Sequence, residues 1–484
     1  MSRLNPTPEP TARGGYRFAP LLERVVDGGF CIGCGACAAV PAAPLVMRLQ
    51  ADGLYRPEIR PGRLDDENGP DLGQVCPFYA DDNEDTLAQS LYPDAPQHSD
   101  ALGYFRRCYA GWVTDPQRRA HSSSGGLASW VLEALLADHQ VDGVIHVTAV
   151  EDDPEAALFR YQIGRRAEQI GHGAKTRYYP VEFSQVMGFV RDHPGRYAFV
   201  GVPCFVKALR LLAKRDPAID QAITYTIGLF CGHMKSTAYA QYLAWQVGVP
   251  PAALAGIDFR RKRDGLPANR YGITVQARWP GHGKPQARTA AMDELDGGDW
   301  GVGLFKPRAC DFCDDVAGET ADLVCGDAWL PEYVGDSRGT NLVIVRHPAL
   351  ERLLIDGCKR GAIALEGIAP ERVIASQAAS YRHRGEGLQV RLAQWDRTGR
   401  WRPRKRVMPQ LTGVSRRQRW VYALRMIIAE RSHAAYARAR RLGHHRWFRL
   451  LMIPWVLGYR VGHRGVLRAL LGPLWRRLRR RGPA

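Results

Sequence analysis

The sequence lacks three features that would each place the protein in a familiar class. No apolar stretch approaches the roughly 20 residues that span a bilayer, since the longest uncharged one near the C-terminus covers only 450–459. No apolar segment follows Met1, so no signal peptide is expected. No G-x-G-x-x-G motif follows a predicted strand, which disfavours direct use of a nicotinamide cofactor. These absences favour a cytoplasmic protein.

Acidic residues are nearly missing from the C-terminal region. Residues 400–484 carry 23 Lys or Arg against one acid, Glu430, which gives +22 and leaves −4 for residues 1–399. Aromatic side chains such as Trp447, Trp455 and Trp475 lie among these arginines, including Arg476 and Arg477. The pattern fits an interfacial helix on anionic lipid at the inner face of the cell membrane. Packing against the acidic body is an equal alternative, and nucleic-acid binding is disfavoured.

Eleven cysteines in a long chain, several of them in C-x2-C units, favour metal ligation over a disulfide scaffold. Residues 21–80 are predicted to form a small ferredoxin-like unit, which a polar link, 81–100, connects to the rest. In residues 104–390, β-rich runs such as YAFVGV and TNLVIVR alternate with helical stretches such as LASWVLEALL. The predicted fold class is therefore α/β (α+β), with a mixed sheet and a helical appendage at 400–484.

A first set of cysteines has the spacing of an iron-sulfur motif. Cys31, Cys34 and Cys37 form C-x2-C-x2-C, which supplies three ligands to a 4Fe-4S cluster. Val40 stands where a bacterial ferredoxin has its next cysteine, and Cys76, followed by proline, is predicted to be the fourth ligand. A zinc site or plain buried cysteines are the alternatives.

A second set is scattered along the chain. Cys204 and Cys231 directly follow predicted strands, and Cys310 and Cys313 form a C-x2-C unit. Because strand ends gather along one edge of an α/β sheet, these four could converge on a second 4Fe-4S cluster. A structural zinc would accept the same ligands. The remaining three cysteines are interpreted as small buried hydrophobes: Cys108, Cys325 and Cys358.

Two further segments suggest a phosphate-bearing cofactor. HSSSGG, residues 121–126, precedes a predicted helix, where its hydroxyls and amides would face the positive end of the helix dipole. An ordinary N-cap has the same appearance. Downstream, Lys175 and Arg177 could pair with an anion, and Tyr178 and Tyr179 could stack on a ring, although a solvated basic loop explains them equally well.

Segments along the chain occur in the same order as in one known family. SSSGG, KTRYY, VGVPC, GLFC, CDFC, ADLVCGDAW and GTNLVIVR resemble those of the coenzyme F-420 hydrogenase/dehydrogenase beta subunits over residues 21–346. The chain is also similar to the family's ferredoxin-dependent chlorophyll-pathway reductases. Cys325 and the 85-residue basic region depart from the family pattern. The resemblance implies a cluster on Cys204, Cys231, Cys310 and Cys313, and FAD contacts at Ser122, Ser123, Ser124, Gly125, Gly126, Lys175, Arg177 and Tyr178.

The resemblance implies an iron-sulfur flavoprotein oxidoreductase with two 4Fe-4S clusters and FAD. FAD would exchange electrons between the clusters and a two-electron substrate, either coenzyme F-420 or another organic acceptor. A ferredoxin-like donor or a partner redox subunit is expected. The alternative is a zinc-stabilised, non-enzymatic binding protein whose basic tail contacts membrane or nucleic acid. The donor, the acceptor, the direction of electron flow and the oligomeric state stay open.

Overall fold

The N-terminal part of the chain wraps around short elements. The computed structural model describes residues 15–150, 157–279, 281 and 284–466. Helix α1 and a π-helical turn, Leu22–Asp27, lead into the first cysteine loop, which ends in the one-turn helix α2. Strands β1 and β2 then pair as an antiparallel hairpin. The bounds are α1 Ala19–Leu21, α2 Ala36–Ala39, β1 Leu45–Leu49 and β2 Tyr55–Ile59.

The predicted polar link contains ordered structure. Helix α3, Glu84–Leu91, begins with a capping box in which Asn83 and Thr86 bond each other's backbone amides. Leu87 and Ala88 are buried on its inner face. A small antiparallel hairpin follows, formed by β3 Gln97–Ser99 and β4 Gly103–Phe105. Although this segment is polar in composition, it therefore contains an amphipathic helix that packs against the rest of the protein.

An eight-stranded mixed sheet forms the centre of the molecule, which confirms the predicted fold class. Its order is β15-β5-β14-β13-β9-β8-β6-β7. The four strands β13, β9, β8 and β6 run parallel, and antiparallel strands flank them on both sides. The strands are β5 Arg107–Val113, β6 Gly143–Ala149, β7 Phe159–Gly164, β8 Tyr197–Gly201, β9 Ile223–Leu229, β13 Leu323–Asp327, β14 Asn341–Val345 and β15 Ile363–Gly367.

Alternate residues of the central strands enter two separate cores, because successive side chains point to opposite faces of a sheet. Val144 and Ala198 belong to one core, and Ile145 and Phe199 belong to the other. Helices α5 and α12 cover the first face, and α7, α8 and α10 cover the second. The helices are α4 Pro116–His121, α5 Leu127–Ala137, α6 Ala167–Gly173, α7 Ser184–Asp192, α8 Pro203–Ala213, α9 Pro217–Ala222, α10 Thr237–Gln246, α11 Pro331–Val334 and α12 Pro348–Lys359.

A second, three-stranded sheet lies beside the main one. Its order is β10-β11-β12, all antiparallel, with bounds Leu254–Arg261, Gly272–Ala277 and Gln286–Ala291. Register shifts interrupt the pairing of β10 with β11. After β15 the chain is helical, with α13 Pro370–Ser376, α14 Ala378–Arg384 and α15 Glu386–Asp396.

The C-terminal region forms two long helices, α16 Arg416–Arg441 and α17 Arg446–Arg464, that pack on each other and on the body. The Phe448 ring stacks on Phe305 with centroids 5.1 Å apart. The Phe305 amide donates to Ser432 Oγ at 2.8 Å. One core therefore runs from Phe18 to Tyr459 through all three predicted parts. Within the described ranges no helix has the length and apolarity of a bilayer span. Trp475, Arg476 and Arg477 lie outside the described residues.

Candidate functional site

The first cysteine set lies where the N-terminal loop enters α2. Gly33 and Gly35 have φ of +69° and +90°, a left-handed conformation that lets the loop curl between its cysteines. A Cβ at Gly33 would lie 2.7 Å from the Tyr55 carbonyl oxygen, so β2 leaves no room for a side chain. The Gly33 amide points at the Cys31 sulfur, 3.4 Å away. Local sequence thus brings the first three cysteines together.

Cys76 joins this group from a separate segment. A 3-10 turn, Leu72–Val75, capped by the Asp71 carboxylate, delivers it to the loop. Burial raises the pKa of the Cys76 thiol to about 12. Burial also raises the pKa of Cys34 and Cys37 well above its ordinary value, and the neighbouring thiols of the set add to the rise. The four predicted ligands therefore lie close enough to interact electrostatically.

The second set surrounds an enclosed space. Cys204 occupies the first turn of α8, directly after β8, and Cys231 follows β9. Cys310 and Cys313 come from a 3-10 turn, Arg308–Phe312, and the residue after it. All four line one cavity with about 250 Å³ of empty space. The sheet thus brings together four cysteines that lie far apart in the sequence.

Backbone and side-chain donors point at these sulfurs. The Met234 amide donates to Cys310 Sγ at 3.3 Å, and Arg384 Nη1 donates to Cys313 Sγ at 2.9 Å. Burial raises the pKa of Cys204 well above its ordinary value and that of Cys310 to about 12. Burial therefore favours the neutral forms of Cys204 and Cys310, and a cationic metal centre would favour their ionised forms.

The two sets are neighbours. Cys34 contributes to the raised pKa of Cys204, and Ile32 and Phe78 from the N-terminal part line the cavity of the second set. The Phe183 amide donates to the Cys34 carbonyl at 2.9 Å and joins the first loop to α7. Among the described residues, no three His, Cys, Asp or Glu side chains are spaced to hold a single metal ion. Around the second set, the thiols enclose a space instead of converging on one point.

The remaining cysteines lie away from both sets. Cys325 lies on β13 in the core beneath α5 and α12, whereas Cys313 belongs to the core on the other face of the sheet. Cys325 therefore does not take the place of a predicted ligand. Cys108 is buried on β5, and Cys358 lies in α12.

A C-terminal segment packs against the loop that carries Cys313. Lys405 and Arg406, counted with the basic tail, are directed inward. Lys405 Nζ lies 3.2 Å from Asp314, and Arg406 Nη1 lies 2.7 Å from Glu319. These carboxylates belong to the segment that follows Cys313, so part of the basic region supports the second set instead of forming a free surface.

The serine-rich loop borders a second cavity with about 320 Å³ of empty space. Ser123 and Ser124 line it, while the Ser122 hydroxyl bonds back to the Arg118 carbonyl at 2.9 Å. Gly125 pairs with Val113 through its carbonyl, and Gly126 precedes the first turn of α5. Asn341 Oδ1 accepts from the Leu127 amide at 3.0 Å, so one amide of this helix terminus already has a partner.

The three other predicted cofactor residues are Lys175, Arg177 and Tyr178, which differ in how deeply their side chains are buried. Lys175 pairs with Asp258 at 3.0 Å. The Arg177 guanidinium lies 4.7 Å from the centroid of the Phe159 ring, and burial lowers its pKa. Tyr178 packs inward against Trp300, with ring centroids 4.6 Å apart. Of these predicted residues, Ser123 and Ser124 line the cavity itself.

Sequence reasoning missed the basic and aromatic wall of this cavity. Arg260 forms a bidentate pair with Asp327 at 2.9 and 3.1 Å and lies over the Tyr271 ring. Lys262 Nζ donates to the Ser124 carbonyl at 2.8 Å, which fixes the serine loop. The run FRRKR at the end of β10 was the available signal. The sequence alone does not show that this run borders the serine loop, because the contact forms only when the second sheet packs beside that loop.

Comparisons with known proteins give two family matches. The model of the coenzyme F-420 hydrogenase/dehydrogenase beta subunit N-terminal region matches residues 108–187, and that of its C-terminus matches residues 195–371. The matched ranges contain the serine loop and the second cysteine set, and the first set precedes them. A chain of the F-420-reducing nickel-iron hydrogenase complex from Methanosarcina barkeri has 16% identity and a TM-score of 0.46, covering 62% of this chain and 96% of that chain. Comparison with curated proteins gives no match.

Proposed function

The chain belongs to the coenzyme F-420 hydrogenase/dehydrogenase beta-subunit family, and from this premise we propose that it is an iron-sulfur flavoprotein oxidoreductase. Residues 21–80 would carry one 4Fe-4S cluster, and residues 104–390 would carry a second cluster together with FAD. Residues 400–484 would support the second site and offer a basic outer surface. A ferredoxin-like donor or a partner redox subunit would exchange electrons with the first cluster.

The observation that carries this proposal is the cavity enclosed by Cys204, Cys231, Cys310 and Cys313. A single zinc ion binds sulfur at about 2.3 Å and would require the four thiols to converge on one point. A 4Fe-4S cluster needs more room, since its irons and bridging sulfides stand between the thiolates. Among the described residues the four thiols border one space without the spacing that a single ion requires, so this set fits a cluster better than one ion.

The protein groups around both sets suit a cluster. The amides of Gly33 and Met234 donate toward cysteine sulfur, as hydrogen bonds that tune a cluster do. Apolar side chains, Ile32 and Phe78, line the space toward the first set and exclude water there. When bound, the clusters carry single electrons and FAD converts between one-electron and two-electron exchange.

For FAD, the serine-loop cavity supplies the required chemistry. The hydroxyl groups of Ser123 and Ser124 border it, and Arg260 provides a buried guanidinium. Such groups bind phosphate through charge-assisted hydrogen bonds. Tyr178 and Trp300 continue from this region toward the second cysteine set as a run of aromatic rings. When bound there, FAD would supply hydride exchange with coenzyme F-420 or another organic acceptor.

Elemental analysis tests the proposal in one preparation. The full chain is purified anaerobically, and iron, acid-labile sulfide, zinc and extractable flavin are measured per polypeptide. The expected result is about eight iron and one FAD. About four iron with FAD would retain the oxidoreductase and remove one cysteine set from the proposal. Zinc without iron or flavin would overturn the proposal in favour of the zinc-stabilised binding protein.

The outer face of α17 supports a further proposal, that the protein binds anionic lipid at the inner surface of the cell membrane. Trp447, Leu450, Ile453 and Leu457 are exposed at helical spacing. Exposed Arg446 and Arg449 flank them, and Glu430 is the sole acid of residues 400–484. An apolar stripe with basic flanks complements an anionic membrane surface.

Vesicle flotation tests the lipid proposal. Binding is expected to phosphatidylglycerol vesicles and not to phosphatidylcholine vesicles, and it should weaken as salt is added. The double variant Leu450→Ser, Ile453→Ser should lose binding. Leu64→Ser is the matched control, because Leu64 is highly exposed at a distant position in the sequence. Equal binding to both lipids, or no binding to either, would exclude this role.

A further inference from the structure

A buried arginine contacts the second cysteine set directly. Arg384 is 3% exposed and lines the cavity enclosed by the four cysteines. Its Nη1 donates to Cys313 Sγ at 2.9 Å and to the Asp315 carbonyl. Its Nη2 donates to the carbonyl of Gly232, the residue after Cys231, at 3.0 Å. The acceptors are one sulfur atom and two backbone oxygens, and none of them is a carboxylate. The guanidinium charge is therefore directed at the thiols.

A buried lysine approaches the same set from the segment that follows Cys231. Lys235 is 1% exposed, and its Nζ donates to the Leu304 carbonyl at 2.6 Å. The ammonium lies 4.5 Å from the centroid of the Trp300 ring. The preceding residue, Met234, donates its amide to Cys310. Burial and the neighbouring cations Lys306 and Arg425 lower the pKa of Lys235 well below its ordinary value, so the positive charge at this set belongs to Arg384. Within the described part of the chain, Arg384 forms no ion pair with a carboxylate.

A buried cation without a carboxylate partner is costly unless an anion lies close by. The Asp315 carboxylate is also buried, but its oxygens accept from the amides of Gly318 and Glu319. The cysteine sulfurs are therefore the groups that Arg384 faces, and they become anionic only when they are ionised. Ionised thiolates holding a cluster would supply the missing negative charge.

The first set has a different electrostatic environment. Arg56 acts on Cys31 and Lys207 acts on Cys76, and both cations are paired with carboxylates. Arg56 pairs with Asp52, and Lys207 Nζ lies 3.2 Å from Glu84. Their positive charge is largely offset at the first set. A carboxylate, Glu182, also borders the loop at Gly35.

We propose that Arg384 holds the reduction potential of the second cluster above that of the first, so that electrons pass from the first set to the second. This inference rests on the proposed function. Reduction adds one negative charge to the group held by the thiolates, and a nearby buried cation favours the more negative state. Hydrogen bonds to cluster sulfur raise the potential as well. One electron leaves the first cluster and one arrives at the second, so no additional reactant is required.

Potentiometric titration of the anaerobic full chain, followed by electron paramagnetic resonance, tests the inference independently of turnover. Arg384→Met should lower one midpoint potential by about 60 mV, which is a tenfold change in the reduced-to-oxidised ratio at fixed potential. The other midpoint should stay unchanged. Cys34→Ser, which lacks a ligand of the first set, identifies the signal that belongs to the second cluster.

Two controls separate charge from folding. Arg384→Lys keeps the charge and loses the planar fork, so its potential should lie between those of the wild type and Arg384→Met. Arg56→Met removes a cation that is already paired with Asp52 and should leave both potentials unchanged. Iron content and circular dichroism show whether each variant is folded and loaded. If Arg384→Met does not fold, Arg384→Gln and Arg384→Lys decide the question.

Three outcomes would overturn the inference. Loaded variants with wild-type potentials would show that Arg384 does not act on the cluster. A shift confined to the first cluster would show that Arg384 acts on the first set and not on the second. A wild-type first cluster with the higher potential would reverse the gradient. Wild-type protein that contains no iron would instead refute the proposed function itself, and that result precedes any potential measurement.

Discussion

The two cysteine sets are built in different ways. Cys31, Cys34 and Cys37 are positioned by a short loop whose glycines allow it to curl, so the local sequence determines most of that site. Cys204, Cys231 and Cys310 come from separate segments that meet only because β8 and β9 lie side by side. The first site depends on a motif and the second depends on the whole sheet. Damage to each should therefore have different consequences.

The largest expected effect is the loss of iron when one cysteine ligand is removed from either set. Cys34→Ser and Cys310→Ser should each lose about four iron. Cys310→Ser should also lower the Tm more, because its site lies between the sheet and α14 and joins distant parts of the core. Iron analysis and thermal melting measured together test this expectation. Loss of all iron from Cys34→Ser would show that the two sites are not independent.

The next effect concerns the segment that supports the second set. Arg406→Met leaves Glu319 without its cation and should destabilise the protein by about 3–5 kcal/mol, as breaking a buried ion pair does. The second cluster should be lost at a lower denaturant concentration than the first. Denaturation followed by iron-sulfur absorbance measures both events.

Arg404→Met is the matched control for that variant, since Arg404 lies two residues away and its pair with Asp81 is exposed. It should cost less than about 1 kcal/mol. Equal losses from the two variants would mean that the inward orientation of Arg406 is not what stabilises the site. Loss of the first cluster before the second would contradict the assignment of this segment to the second set.

Much of the difference between the two cysteine sets could be predicted from the sequence. The part that could not be predicted depends on contacts that form only in the folded protein. The runs around Phe199, Ile227 and Ile344 predict the central strands, because continuous β-branched and aromatic residues are typical of buried strands. The three-cysteine spacing predicts a site for the same local reason. Arg384 gives no such signal, because its contact with Cys313 depends on how α14 packs. Lys405 and Arg406 were counted with a basic tail, since charge composition cannot show which side chains are directed inward.

A smaller effect should distinguish the two sets by how easily a chelator in solution reaches their iron. Three of the four cysteine residues of the first set, Cys31, Cys37 and Cys76, are partly exposed, whereas three of the second set are buried. A water-soluble iron chelator should therefore remove iron in two phases, with the first cluster in the fast phase. Cys34→Ser should lack that phase. A single phase in the wild type would show that both sites open together.

The smallest effect concerns pH at the first set. Burial raises the pKa of the Glu182 carboxyl above its ordinary value of 4.5. The folded protein thus favours the protonated carboxyl, and stability falls as pH rises through the raised pKa. Glu182→Gln should remove this dependence and raise the Tm at pH 7 by about 2 °C. Melting curves across pH 4 to 7 measure it, and an unchanged slope in the variant would exclude Glu182 as the cause.

The inward position of Lys405 and Arg406 has a consequence for biosynthesis. A chain leaves the ribosome N-terminus first, so all four cysteines of the first set emerge before any residue of the main sheet. The loop after Cys313 acquires its ion-pair partners only when Arg406 has emerged. The first site can therefore take up its cluster on the nascent chain. The second site gains its support only after Arg406 has been synthesised, so the order of maturation follows the order of synthesis.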